Sequence, residues 1–150
     1  MSKAPGPGVR GSGSLHHIEL RVADLPRATR EWGWLLGRLG HDPSQEWERG
    51  RSWRLGPTRL VVEQSPAMSA ATEHDRMRPG LNHLAFHAGT PTDIDELVHE
   101  APAHDWEPLF PDHHPHAGGL GHYAAHLADT DGFEVELVAA EVPTNPRELR

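Results

Sequence analysis

The chain has 150 residues, 36% of them hydrophobic and none of them cysteine. That suits one domain, or two small modules packed as one, without disulfides, thiolate metal sites or cysteine nucleophiles. Fourteen basic against 22 acidic side chains leave a net charge of −8, which argues against nucleic acid and anionic membrane surfaces as partners, and no apolar run approaches the ~20 residues that span a bilayer. The unusual entry in the composition is 13 histidines, since neutral imidazole is a common metal ligand and its charge switches near neutral pH. Residues 1–14, MSKAPGPGVRGSGS, are rich in Gly, Pro and Ser without an apolar stretch and read as a disordered tail, not a signal peptide. Lack of cysteine fits a cytoplasmic address.

Leu15 to Val22, LHHIELRV, alternates: Ile18, Leu20 and Val22 would face a core, and His17, Glu19 and Arg21 the other side. Asp24 then reads as a helix N-cap with Pro26 in the first turn. Leu25, Ala28, Trp32, Leu35, Leu36 and Leu39 follow at three- and four-residue steps, an apolar stripe that Gly40 ends. Strand candidates follow at Gln45–Trp47, Ser52–Leu55 and Thr58–Gln64. The stretch from Ser65 to Gly80 has little periodicity and two prolines, which marks a linker. The order then repeats. Leu81–Ala88 alternates with His83, Ala85 and His87 on one face; Pro91 opens a helix with stripe Ile94, Leu97, Val98 and Ala101, ended by Pro102. Trp106–Phe110 is a short strand candidate, and a histidine-rich loop, PDHHPHAGGLG, leads to a hairpin over Tyr123–Val138 turning at Asp131-Gly132. A βαβββ unit recurring at ~65–75 residues is an internal repeat of element order. The implied organisation is module 1 at 15–66, a linker at 67–80, module 2 at 81–140 and a tail at 141–150.

In the last strand, Val135 and Leu137 share one face, and Glu134, Glu136 and Val138 the other. A mid-strand carboxylate such as Glu136 is costly to bury unless something cationic meets it. Taken alone, it reads as a solvated outer-face residue. Tyr123 and His126 point to opposite faces of their strand, so only one set reaches the face of Glu136. Tyr123 is favoured here as a substrate contact. His87, two residues beyond His83, is a candidate acid or base. The loop His113–His116 could close over a site and shuttle protons. Trp47 and Trp53 suit either a cleft wall or a dimer interface.

Three segments, LHHIELRVADLPRA (15–28), GLNHLAFHAG (80–89) and ADTDGFEVELV (128–138), stand in the order seen in one known family. The chain resembles the vicinal oxygen chelate superfamily, also called the glyoxalase/bleomycin-resistance/extradiol-dioxygenase superfamily. Thr130 stands where that family usually has a proline. The resemblance implies an α+β fold of two βαβββ modules forming a U-shaped cleft. It also implies that His17, His83 and Glu136 are metal ligands, a two-imidazole, one-carboxylate set with open positions that suits Fe, Mn, Ni, Co or Zn. The register of TRLVVEQ puts Val61, which cannot coordinate, at a possible fourth ligand position; Glu63 lies on the same face, and a bulge could bring it inward. The implied function is a divalent-metal-dependent glyoxalase/dioxygenase-like enzyme, a lyase, isomerase or dioxygenase, acting on a small vicinally oxygenated organic substrate. The alternative is a non-catalytic protein that sequesters an antibiotic or another small molecule, as bleomycin-resistance proteins do. A homodimer is expected, with the cleft built either within one chain or from modules exchanged between two.

Overall fold

The computed structural model describes residues 12–69, 73–111, 114–116 and 121–140; the tails at 1–11 and 141–150, and Asp112, His113 and residues 117–120 of the histidine loop, lie outside the described residues. The first module runs β1 (His17–Arg21), α1 (Leu25–Arg38), β2 (Asp42–Trp47), β3 (Gly50–Leu55) and β4 (Thr58–Glu63). Its sheet has the order β1-β4-β3-β2, with β1 parallel to β4 and the remaining pairs antiparallel. The second repeats this with β5 (His83–His87), α2 (Pro91–Glu100), β6 (Glu107–Leu109), β7 (Ala124–Ala128) and β8 (Glu134–Val138), in the order β5-β8-β7-β6. In both, the helix is the crossover that parallel pairing of first and last strands requires.

The helices begin where side chains satisfy their free N–H groups. Asp24 accepts from the Arg27 N–H at 3.0 Å, and Thr90 and Asp93 cap each other reciprocally at 2.9 and 3.1 Å. Gly40, at φ +87°, ends α1. Beyond α2 the chain tightens into a 3₁₀ turn over Ala101–His104 that contains Pro102. The strands agree with the alternation in the sequence, except that β2 starts earlier, at Asp42, with irregular pairing between Pro43 and Glu46. Trp53 is a core residue, 5% exposed, with its indole packed over Gly33 of α1. Trp34 stacks on His104 with centroids 4.4 Å apart.

One core cluster joins both modules. At its centre Trp32 of α1 meets Trp106 edge-on at 5.0 Å and Phe133 at 6.5 Å. Around it the turn before β8, Asp129 to Gly132, docks on the first module. Trp32 Nε1 donates to Asp129 Oδ2 at 2.9 Å, and the Phe133 N–H donates to Asp129 Oδ1 at 2.8 Å. The Thr130 N–H and hydroxyl both donate to Glu31 Oε1. Arg27 pairs with Asp131, and Trp106 Nε1 donates to the Glu31 carbonyl at 2.9 Å. The linker joins in: the His74 N–H donates to the Asp131 carbonyl at 2.7 Å, and its ring stacks on Phe133 at 4.5 Å.

Loss of hydration on burial pushes the Asp129 carboxyl up to about 7, with Asp131 and Glu31 adding like charge, against the Phe133 and Trp32 donors. The folded state therefore holds a proton that the unfolded chain releases near its ordinary pKa. Stability from this group is full below about pH 4 and is lost as pH rises through about 7. Going from pH 5 to pH 8, the unfolding free energy of the wild type should fall relative to that of Asp129→Asn, by on the order of 2 kcal/mol. Chemical denaturation of both proteins across that range checks this, and parallel pH curves would refute it. A second expectation concerns Gly132, which sits at φ +90° with its missing Cβ position 2.7 Å from the His74 carbonyl oxygen. Gly132→Ala should lose about 2 kcal/mol, a drop of roughly 4–8 °C in Tm by calorimetry.

Candidate metal and substrate site

The face of the second sheet turned away from the helices carries a cluster of acids and imidazoles. Register explains it. In β8, Glu134 and Glu136 alternate with core-facing Val135 and Leu137. His83 of β5 stands opposite Glu134 and Ala85 opposite Glu136, and His126 of β7 stands opposite Glu136 on the other side. His83 Nε2 lies 3.2 Å from Glu136 Oε2, and His122 Nε2 lies 2.8 Å from Glu136 Oε1. One step along, Glu134 is buried between Arg76 of the linker, at 2.8 Å, and His126 Nδ1, at 3.2 Å. His126 Nε2 is buried without a hydrogen-bond partner among the described residues. Phe110, at φ +52°, lies edge-on to His126 at 5.4 Å and under the Arg76 guanidinium at 5.5 Å.

Burial alone would raise the Glu136 carboxyl; the His122 hydrogen bond and positive charge at His126, His122 and His83 outweigh it and hold the group below the usual carboxylate range. His83 Nδ1 is 2.7 Å from the side-chain carbonyl of Asn82. Donation there places a proton on Nδ1 and leaves Nε2 as the ring nitrogen turned toward Glu136. An imidazole lone pair and a carboxylate facing each other suit a shared cation, either a proton or a metal ion.

The first sheet presents the corresponding face differently. His17 lies opposite Arg59, Glu19 opposite Val61, and Arg21 opposite Glu63. The pairing of Glu19 with Val61 is the counterpart of Ala85 with Glu136, so Val61 occupies the place of Glu136, as the strand pattern indicates. No bulge interrupts β4, and Glu63 is engaged by Arg21 at 3.0 Å. His17 Nδ1 lies 3.0 Å from His16 Nδ1. Among the described residues, no group of three His, Asp or Glu side chains is arranged to hold a metal ion. Within a single chain, then, His83 and Glu136 come together, and His17 belongs to the other sheet. β1 and β5 each form the edge of a separate sheet, and both border an apolar groove lined by Leu15, Ile18, His41, Leu60, Phe86 and His87.

His87 stands opposite Val138, two pairs beyond Ala85 and Glu136, and is exposed. The Tyr123 phenol donates to Asp95 of α2 at 2.5 Å, on the helix side of the sheet. Ala124 and His126 share the face of Glu136, so their odd-numbered neighbours turn to the core, where Ala125 and Leu127 are buried. The residue that reaches Glu136 from this strand's approach is His122. Its parity with His126 was visible in the sequence, but Tyr123 drew attention by residue type. In the histidine loop, His114 Nε2 is 3.7 Å from Asp95 and His116 Nδ1 is 3.4 Å from the His122 carbonyl.

The same architecture recurs in known proteins. The chain is 44% identical over 125 residues to the uncharacterised protein YqjT of Bacillus subtilis, an alignment covering 83% of this chain and 98% of YqjT. A crystal structure of a candidate glyoxalase from Bacillus halodurans matches with a TM-score of 0.83 at 40% identity, covering 89% of this chain and all of that one. A lactoylglutathione lyase from Agrobacterium tumefaciens shares the fold at 16% identity and a TM-score of 0.57, over 89% and 98% of the two chains. A family model described as Glyoxalase/Bleomycin resistance protein/Dioxygenase superfamily matches residues 16–126, and this chain belongs to that superfamily.

Proposed function

We propose that the protein is a divalent-metal-dependent glyoxalase/dioxygenase-like enzyme acting on a small vicinally oxygenated organic molecule. The observation that carries this reading is the pairing of His83 Nε2 with Glu136 Oε2 at 3.2 Å, with the far side of the imidazole tied to Asn82. His83 and Glu136 would hold the ion, drawn from Fe, Mn, Ni, Co or Zn, because imidazole and carboxylate suit all of these. His17 would complete the set from the first module of a second copy, in a homodimer that lays this face of one chain against the second module of the other. Once bound, such an ion polarises two adjacent oxygens of the substrate. The chain's own residues do the rest. Val61, apolar in the position matching Glu136, has no donor atom and would leave the ion open to water or substrate. His87, exposed two residues beyond Ala85 on β5, would move a proton at its ring nitrogen. The Tyr123 phenol, bonded to Asp95, supports a role in seating α2 on the sheet. Phe110, 40% exposed beside His126, is the one feature that favours sequestration, since an aromatic wall can bind a planar ligand without chemistry.

Protein purified without added metal, then titrated with Mn(II), Co(II) or Zn(II), should take up about one ion per chain, and His83→Ala and Glu136→Gln should take up almost none. Wild-type uptake below about a tenth of an equivalent with every one of these ions would leave the sequestration reading in its place. Mixing His17→Ala with His83→Ala, after unfolding and refolding together, tests the shared site. Each exchanged heterodimer regains one intact site, so metal uptake should recover to about a quarter of wild type. No recovery would assign the cleft to a single chain.

A further inference from the structure

The two oxygens of Glu136 are held by two different imidazoles. His83 faces Oε2 from β5, and His122 faces Oε1 at 2.8 Å from the segment just before β7. His122 is not part of the paired strands, and its side chain remains 41% exposed. It is not among the residues of the core cluster. The first module has no equivalent arrangement, since Val61 takes the place of Glu136. A glutamate side chain rotates freely about its last bond, and a carboxylate that must present one defined oxygen to an ion benefits from a donor that immobilises the other. The ring of His122 has one nitrogen on Glu136, and a single Nε2–H there can fix the carboxylate plane.

We infer that His122 is a positioning residue for Glu136: its Nε2–H holds Oε1 and leaves Oε2 aimed at the point shared with His83. This rests on the reading of His83 and Glu136 as metal ligands. It predicts a graded effect on affinity with unchanged coordination, because His122 acts on the ligand and not on the ion.

The test is titration of the metal-free, full-length protein with Co(II), followed by calorimetry and by the visible absorption of the bound ion. His122→Ala should weaken Co(II) binding by about 10–100-fold, with the absorption spectrum of the saturated protein unchanged. His122→Gln, whose amide donates over a similar reach, should recover most of that loss. His122→Ala binding as tightly as wild type, or His122→Gln as weakly as His122→Ala, overturns the inference. A changed spectrum in either variant also overturns it, since it makes His122 a ligand itself. If wild type binds and His83→Ala does not, those failures belong to His122 alone. If wild type fails to bind Co(II), the metal reading falls and this inference falls with it.

Discussion

The structure depends on one buried contact, the docking of the Asp129–Gly132 turn against α1. Asp129 accepts from Trp32 in the first module and from its own Phe133 N–H, while Glu31 and Arg27 take hold of Thr130 and Asp131. Apolar packing of Trp32, Trp106 and Phe133 brings the modules together, but hydrophobic burial is non-directional. The hydrogen bonds supply direction, because each carboxylate oxygen accepts only where a donor lies in line. β8 leaves this turn directly, so the same contacts that join the modules also set where Glu134 and Glu136 emerge. Three carboxylates and one guanidinium at one junction carry a large desolvation cost, visible in the raised pKa of Asp129 and Glu31. A purely apolar junction would avoid that cost and would lose the fixed orientation of β8.

The repeat gives the two modules one register and two chemistries. Val61 and Glu136 occupy matching places, yet among the described residues it is the second module that brings acid and imidazole into contact on its outer face. There the acids do not stand alone. Glu136 lies between His83 and His122, and Glu134 between Arg76 and His126. Arg76 comes from the linker, which is therefore a structural part of the second module's outer face and more than a tether. In the first module the equivalent face is closed by charge pairing, with Arg21 held between Glu19 and Glu63. Exposed pairs of this kind contribute little stability, so this face is the more easily remodelled of the two.

Much of the architecture could be read from local pattern. The alternation of LHHIELRV and LNHLAFHA, the stripes of the two helices and their caps depend on neighbours within a few residues, and each element formed where those signals placed it. The same holds for the face of Glu136, because parity along a strand is a covalent fact. The family followed from three segments in a fixed order. Of the candidate site, parity puts His83 and Glu136 on outward faces, and the structure brings them within 3.2 Å. Parity put Tyr123 and His122 on opposite faces, but which of them meets Glu136 depends on the register of β7 against β8.

What the sequence decided by itself is therefore the element order, the helix boundaries, the turn at Asp131-Gly132 and which strand residues face away from the core. These rest on interactions between residues close in the chain. Tertiary structure alone decided that Glu31, polar on an apolar stripe, is buried against Thr130 some hundred residues away, that Trp53 belongs to the core, and that His122 holds Glu136. It also decided that His17 stays on a separate sheet within one chain. Each of these depends on distant segments arriving at the same place, and no local pattern in either segment records its partner.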